Sequence, residues 1–154
     1  MLQREDKKSA LRPAKQLMCV VMACSDTDEA RQVAELLEEL NTGCLVTYSR
    51  VEDMLQNPPV GKVALFILAT DESPAVVSRT LIWLRQHWPK CPLTVVGDDG
   101  CGLQELTARQ AGASFVTRPV NSQQWMAILS HALSRPTVPA APRRTIPTSR
   151  SIDK

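Results

Sequence analysis

Short apolar runs alternate along the chain with segments whose apolar residues recur every three or four positions. Leu17-Met18-Cys19-Val20-Val21-Met22-Ala23 is apolar throughout, the mark of a strand covered on both faces. Ser25 and Asp26 then offer helix N-caps, with Asp28 and Glu29 placed as capping-box partners. Ala30, Val33, Leu36, Leu37 and Leu40 follow at core spacing, Glu35, Glu38 and Glu39 face outward, and Asn41-Thr42-Gly43 ends the helix. Cys44 to Tyr48 reads as a second strand. Val51 to Gln56 reads as a short helix closed by Asn57-Pro58-Pro59. Val63 to Ala69 is the third and most apolar strand. Ser73-Pro74 opens a helix carrying Val77, Leu81, Leu84 and Trp88, which Pro89 stops. A fourth strand, Leu93 to Val96, runs into the glycine-rich turn Gly97-Asp98-Asp99-Gly100-Cys101-Gly102. A helix with a weak apolar face follows over Leu103 to Gln110. Phe115 to Thr117 is a fifth strand. Asn121 or Ser122 caps a last helix carrying Trp125, Ile128, Leu129, Ala132 and Leu133.

Strands alternating with helices in this way predict an α/β domain, a parallel doubly wound sheet with helices on both faces. Such sheets bind ligands beyond the carboxyl ends of their strands, where the strand order reverses. That places Ser25, Asp26 and Asp28 on one wall of a crevice, with Ala69, Thr70 and Asp71 beside them. Gly97 and Asp98 come from the fourth strand and Arg118 from the fifth.

Length and composition narrow the picture. The 154 residues suffice for one domain that buries roughly 70% of its unfolded surface. The pattern divides them into a charged leader over 1–15, a domain over 16–134, and a tail over 135–154. The tail holds Pro136, Pro139, Pro142 and Pro147 and is expected to stay disordered. A net charge of +2 points to neither nucleic acid nor membrane. The scattered tail cations Arg143, Arg144, Arg150 and Lys154 read as a solvated segment. The apolar runs are too short to span a bilayer, and the first residues lack a signal-peptide core, so a cytoplasmic location is expected. Cys19, Cys24, Cys44, Cys91 and Cys101 include no C-x-x-C pair. Three of them lie in apolar runs and read as reduced structural thiols, and Cys101 in its loop is the candidate exposed thiol.

Three segments carry a family resemblance. Cys91-Pro92-Leu93-Thr94-Val95-Val96, the turn Ala111-Gly112-Ala113, and Phe115 with Arg118-Pro119 resemble the final third of a receiver domain, the phosphate-accepting module of two-component response regulators. The likeness extends over about residues 16 to 134. It implies the flavodoxin-like strand order 2-1-3-4-5 with five helices. It also implies that Arg118 stands where the family has lysine and that Phe115 is the switch aromatic. By itself Phe115 reads first as a core aromatic, and Arg118 equally as a surface cation or a partner of Asp71.

Against that family the acidic pocket is dismantled. The resemblance puts the phospho-accepting aspartate at about Ala69 or Thr70, and neither side chain can take its place. Asp71 falls in the following loop. A displacement of one to two residues moves a carboxylate by roughly 3–7 Å, more than in-line transfer tolerates. Asp26 and Asp28 come late for magnesium ligands, and helix capping suits them better. Gly97 stands in place of a hydroxyl, and Arg118 brings a planar fork in place of a point charge. The expectation is therefore a degenerate pseudo-receiver. It would be a phosphorylation-independent interaction module without cofactor or enzymatic activity. Its partner would be a histidine kinase or downstream regulator, with a second copy of the chain as a further candidate. The alternatives are a response regulator phosphorylated at Asp71 with Mg2+ held by Asp26 and Asp28, and a small-molecule sensor using the crevice. Enzyme readings find little support. His87 and His131 sit on helices away from any nucleophile motif, and the chain has no G-x-x-x-x-G-K-[ST] loop.

Overall fold

A computed structural model describes residues 18–134 except Thr42 and Cys101. The leader over 1–15, the tail over 135–154 and the Cys101 thiol therefore lie outside the described residues. The strands are β1 (Cys19–Cys24), β2 (Cys44–Tyr48), β3 (Val63–Ala69), β4 (Leu93–Gly97) and β5 (Ser114–Thr117). The helices are α1 (Thr27–Leu40), α2 (Val51–Gln56), α3 (Pro74–His87), α4 (Gly102–Gln110) and α5 (Ser122–Ser134). All the strand pairings are parallel and the order is β2-β1-β3-β4-β5. This is the expected doubly wound sheet.

The period-two alternation of the strands divides the interior into two layers. Val21, Ala23, Phe66, Leu68 and Val95 point toward α2, α3 and α4, which contribute Met54, Leu81, Leu84 and Ala108. Val20, Met22, Leu65, Ile67 and Val96 point the other way, against Val33 and Leu37 of α1 and Trp125 and Leu129 of α5. Strands buried on both faces carry apolar residues at successive positions, which is why β1 and β3 show no polar alternation. Each fully buried Leu, Ile or Phe side chain contributes about 1.5–3 kcal/mol relative to an exposed one.

Local signals fix the helix ends. Asp26 caps α1 by accepting the Asp28 N–H at 2.8 Å. Ser73 caps α3 by accepting the Val76 N–H at 3.3 Å, with Pro74 in the first turn. Gly43 leaves α1 with φ +87°, and a Cβ there would lie 2.9 Å from the Met18 carbonyl. That close approach lets the Cys44 N–H reach the same carbonyl at 3.0 Å and sets the register of β2 on β1. At the same end of the sheet Arg85 of α3 donates to the carbonyls of Cys91 (2.8 Å), Gly112 (3.1 Å) and Ala111 (3.3 Å), pinning the turns before β4 and β5.

Some boundaries move. Leu17 lies outside the described residues, and β1 ends on Cys24 rather than Ala23. α3 ends at His87, and Trp88 is its C-cap. β4 runs on to Gly97, and β5 starts at Ser114.

Candidate functional site

The carboxyl ends of β1, β3, β4 and β5 meet around one side chain, Arg118. It is the first residue after β5, and its N–H donates to the Gly97 carbonyl at 2.8 Å. Pro119 follows through a cis peptide bond. The guanidinium turns inward and is 19% exposed. Its Nε donates to Glu29 Oε2 at 2.9 Å and its Nη2 to Glu29 Oε1 at 3.2 Å, a two-pronged pairing suited to the planar fork. Nη2 also donates to the Ala69 carbonyl at 2.9 Å, and Nη1 to Asp98 Oδ1 at 3.3 Å. The hydrogen bonds to Glu29 raise the Arg118 pKa above its ordinary value against the opposing effect of burial.

Glu29 is the residue that reading the sequence misses. The capping-box spacing assigns it to the helix terminus. The structure instead aims its carboxylate across the crevice, where it is 12% exposed. Cys24 Sγ lies 3.6 Å from Glu29 Oε1 and 3.0 Å from the Asp26 carbonyl. Burial pushes the Cys24 thiol up to about 11. The sign to look for was a need: a cation near the tip of an apolar strand requires a counter-ion. The third helical residue after an N-cap at the switch point is placed to supply one.

The remaining site residues divide. Ala69 ends β3 and is fully buried, and Thr70 is buried beside it. Asp71 lies in the exposed loop beyond and pairs with none of the described residues. The alternative in which Arg118 binds Asp71 is thereby corrected: Glu29 and Asp98 take that role, since both reach the guanidinium from neighbouring element ends. Ser25 is exposed and does not cap α1. Asp26 is occupied as the cap, and Asp28 pairs outward with Arg31 at 2.8 Å. Glu29, and not the capping box, holds the crevice. Among the described residues no group of three or more His, Cys, Asp or Glu side chains is arranged to hold a metal ion.

Gly97 and Phe115 form a second feature beside the crevice. A Cβ on Gly97 would lie 2.8 Å from Phe115 Cζ and 2.8 Å from Gln104 Oε1. The aromatic ring and the buried Gln104 amide fill the space a side chain at position 97 would need. Phe115 packs against the α2–α3–α4 layer, so core aromatic describes its contacts.

No protein-family model matches the sequence, and neither does any curated protein. Solved structures do match. The BeF3-activated receiver domain of DrrB has a TM-score of 0.64 at 20% identity, over 78% of this chain and 100% of that one. A two-component response regulator from Clostridium difficile has a TM-score of 0.64 at 17% identity, over 77% and 97% of the two chains. The chemotaxis response regulator CheY4 of Vibrio cholerae has a TM-score of 0.62 at 10% identity, over 76% and 99%. The domain thus has the flavodoxin-like fold of response regulator receivers, the similarity being one of fold. Among the described residues no helix is long and apolar enough to cross a membrane.

Proposed function

We propose that this chain is a pseudo-receiver, a cytoplasmic protein-interaction module of a two-component or related pathway that works without aspartyl phosphorylation. It is a binding module and not an enzyme, and it needs no cofactor. One observation carries the reading: the cation at the centre of the crevice already has its counter-charge. In a phosphorelay receiver the switch is driven by a new charge of about −1.5 to −2 on an aspartate. Here Arg118 is held by Glu29, Asp98 and the Ala69 carbonyl, and β3 ends on a methyl group. Phe115 lies in the space left by Gly97, which supports a single fixed arrangement of the aromatic.

The partner, a histidine kinase or a downstream regulator, is expected on the face formed by α4, β5 and α5. Leu103 and Leu106 of α4 are 64% and 52% exposed there, although each would gain by burial.

The test is incubation of the full chain with Mg2+ and acetyl phosphate, followed by intact mass. The expected result is an unchanged mass. A stoichiometric gain of one phosphoryl group, lost in Asp71→Asn, would overturn the proposal in favour of an atypical response regulator.

A further inference from the structure

At the opposite end of the sheet two thiols face each other. Cys19 and Cys44 are directly paired residues of β1 and β2, and their sulfurs lie 3.2 Å apart. Adjacent strands run about 4.8 Å apart, inside the span of about 4.4–6.8 Å between Cα atoms that a disulfide bridges. Both side chains share a face. Val21 and Ala23 continue the alternation from Cys19, and Val46 and Tyr48 from Cys44, all toward the α2–α3–α4 layer. That corner is thinly covered, because β2 is an edge strand and α2 spans only Val51–Gln56. Cys19 and Cys44 are accordingly half-exposed, whereas Cys24 and Cys91 are buried. The Met18 carbonyl, held by the Cys44 N–H, fixes the register and keeps the sulfurs opposed.

We propose that Cys19 and Cys44 are a reversible disulfide site that staples the edge strand β2 to β1 under oxidising conditions. The oxidant is a low-molecular-weight disulfide. One cysteine, as thiolate, attacks a sulfur of that disulfide and expels a thiolate, leaving a mixed disulfide on the protein. The second cysteine, deprotonated in turn, attacks the Sγ of the first cysteine and expels the other small thiolate. The protein dithiol loses two electrons and two protons, and the small disulfide becomes two thiols.

Burial, and then the contact with Cys44, push the Cys19 thiol up to about 11. Cys19 is therefore a poor nucleophile at neutral pH, and its attack quickens as the solution turns alkaline. The ring closed by the bond runs from residue 19 to residue 44 and contains all of α1, including Glu29. Closing it restricts the unfolded chain and raises stability. None of this depends on the function proposed above, since the thiols lie at the other end of the strands from Arg118.

The experiment treats the full reduced chain with oxidised glutathione at mildly alkaline pH, then follows intact mass, non-reducing peptide maps and Tm. Expected are the loss of two hydrogens, a Cys19–Cys44 cross-linked peptide, and a Tm raised by several degrees, all reversed by dithiothreitol. Cys19→Ser and Cys44→Ser should each abolish the cross-link, and Cys24→Ser should keep it. Persistent glutathione adducts without the cross-link would overturn the proposal. So would a bond to a different cysteine, or a Cys19–Cys44 bond that leaves Tm unchanged or lower.

Discussion

Arg118 and Glu29 sit 89 positions apart in sequence, yet each answers the other's cost of burial. A mostly buried guanidinium without its carboxylate would retain only Asp98, whose side chain is 64% exposed, and one carbonyl. Glu29→Gln should therefore destabilise the domain by about 2–3 kcal/mol, below the full range for a broken buried pair because those two partners remain. Urea denaturation would measure it, and a double-mutant cycle with Arg118→Met should return a coupling of at least about 1 kcal/mol. Gly97 makes a second test at this scale. A methyl group there meets the Phe115 ring and the Gln104 amide at 2.8 Å. Gly97→Ala should cost about 1–3 kcal/mol by overpacking. Adding Phe115→Leu should recover part of that loss, and the denaturation midpoints of the single and double variants compare directly.

The elements differ in how clearly the sequence announces them. β3 and α2 are legible to the residue, because an unbroken apolar run and a helix closed by Asn57-Pro58-Pro59 leave little choice of boundary. The crevice was legible as a place: fold topology alone brings Arg118, Ala69 and Gly97 together. Its wiring was not. The N-cap pattern around Asp26 explains Glu29 locally, and only the tertiary fold shows that a distant cation claims it. α4 is the extreme case. It turns Gln104 and Ala108 inward and leaves Leu103 and Leu106 outside, so its periodicity misleads. A helix that buries so little should open at low free energy. Amide hydrogen exchange should be fastest in α4 among the helices of more than two turns, and slowest in β1, β3 and β4. Replacing Leu103 or Leu106 by a polar residue should change stability by no more than about 0.5 kcal/mol, read from the same urea curves.

On the scale of the whole domain, the two apolar layers are separated by one sheet, and thiols sit in or beside both. Cys19 and Cys24 titrate at about 11 in the folded state against 9.0 ordinarily. A thiol whose pKa rises on folding binds its proton more tightly in the native state. Its contribution is complete below about pH 9 and is lost as pH climbs toward 11. Chemical denaturation of the reduced protein should accordingly show stability falling through that interval, and Cys24→Ser should flatten part of the slope.

The filled crevice also bears on whether an acidic acceptor could be installed at the tip of β3. Installing an acid by Ala69→Asp would insert a second carboxylate at a fully buried position. It would contend with Glu29 for a guanidinium that is already shared. One substitution would produce electrostatic crowding and no acceptor. A working acceptor would require Glu29 to be released and the space at Gly97 to be cleared of its aromatic. The internal ion pair thus sets a penalty on any single acidic substitution at the strand tip.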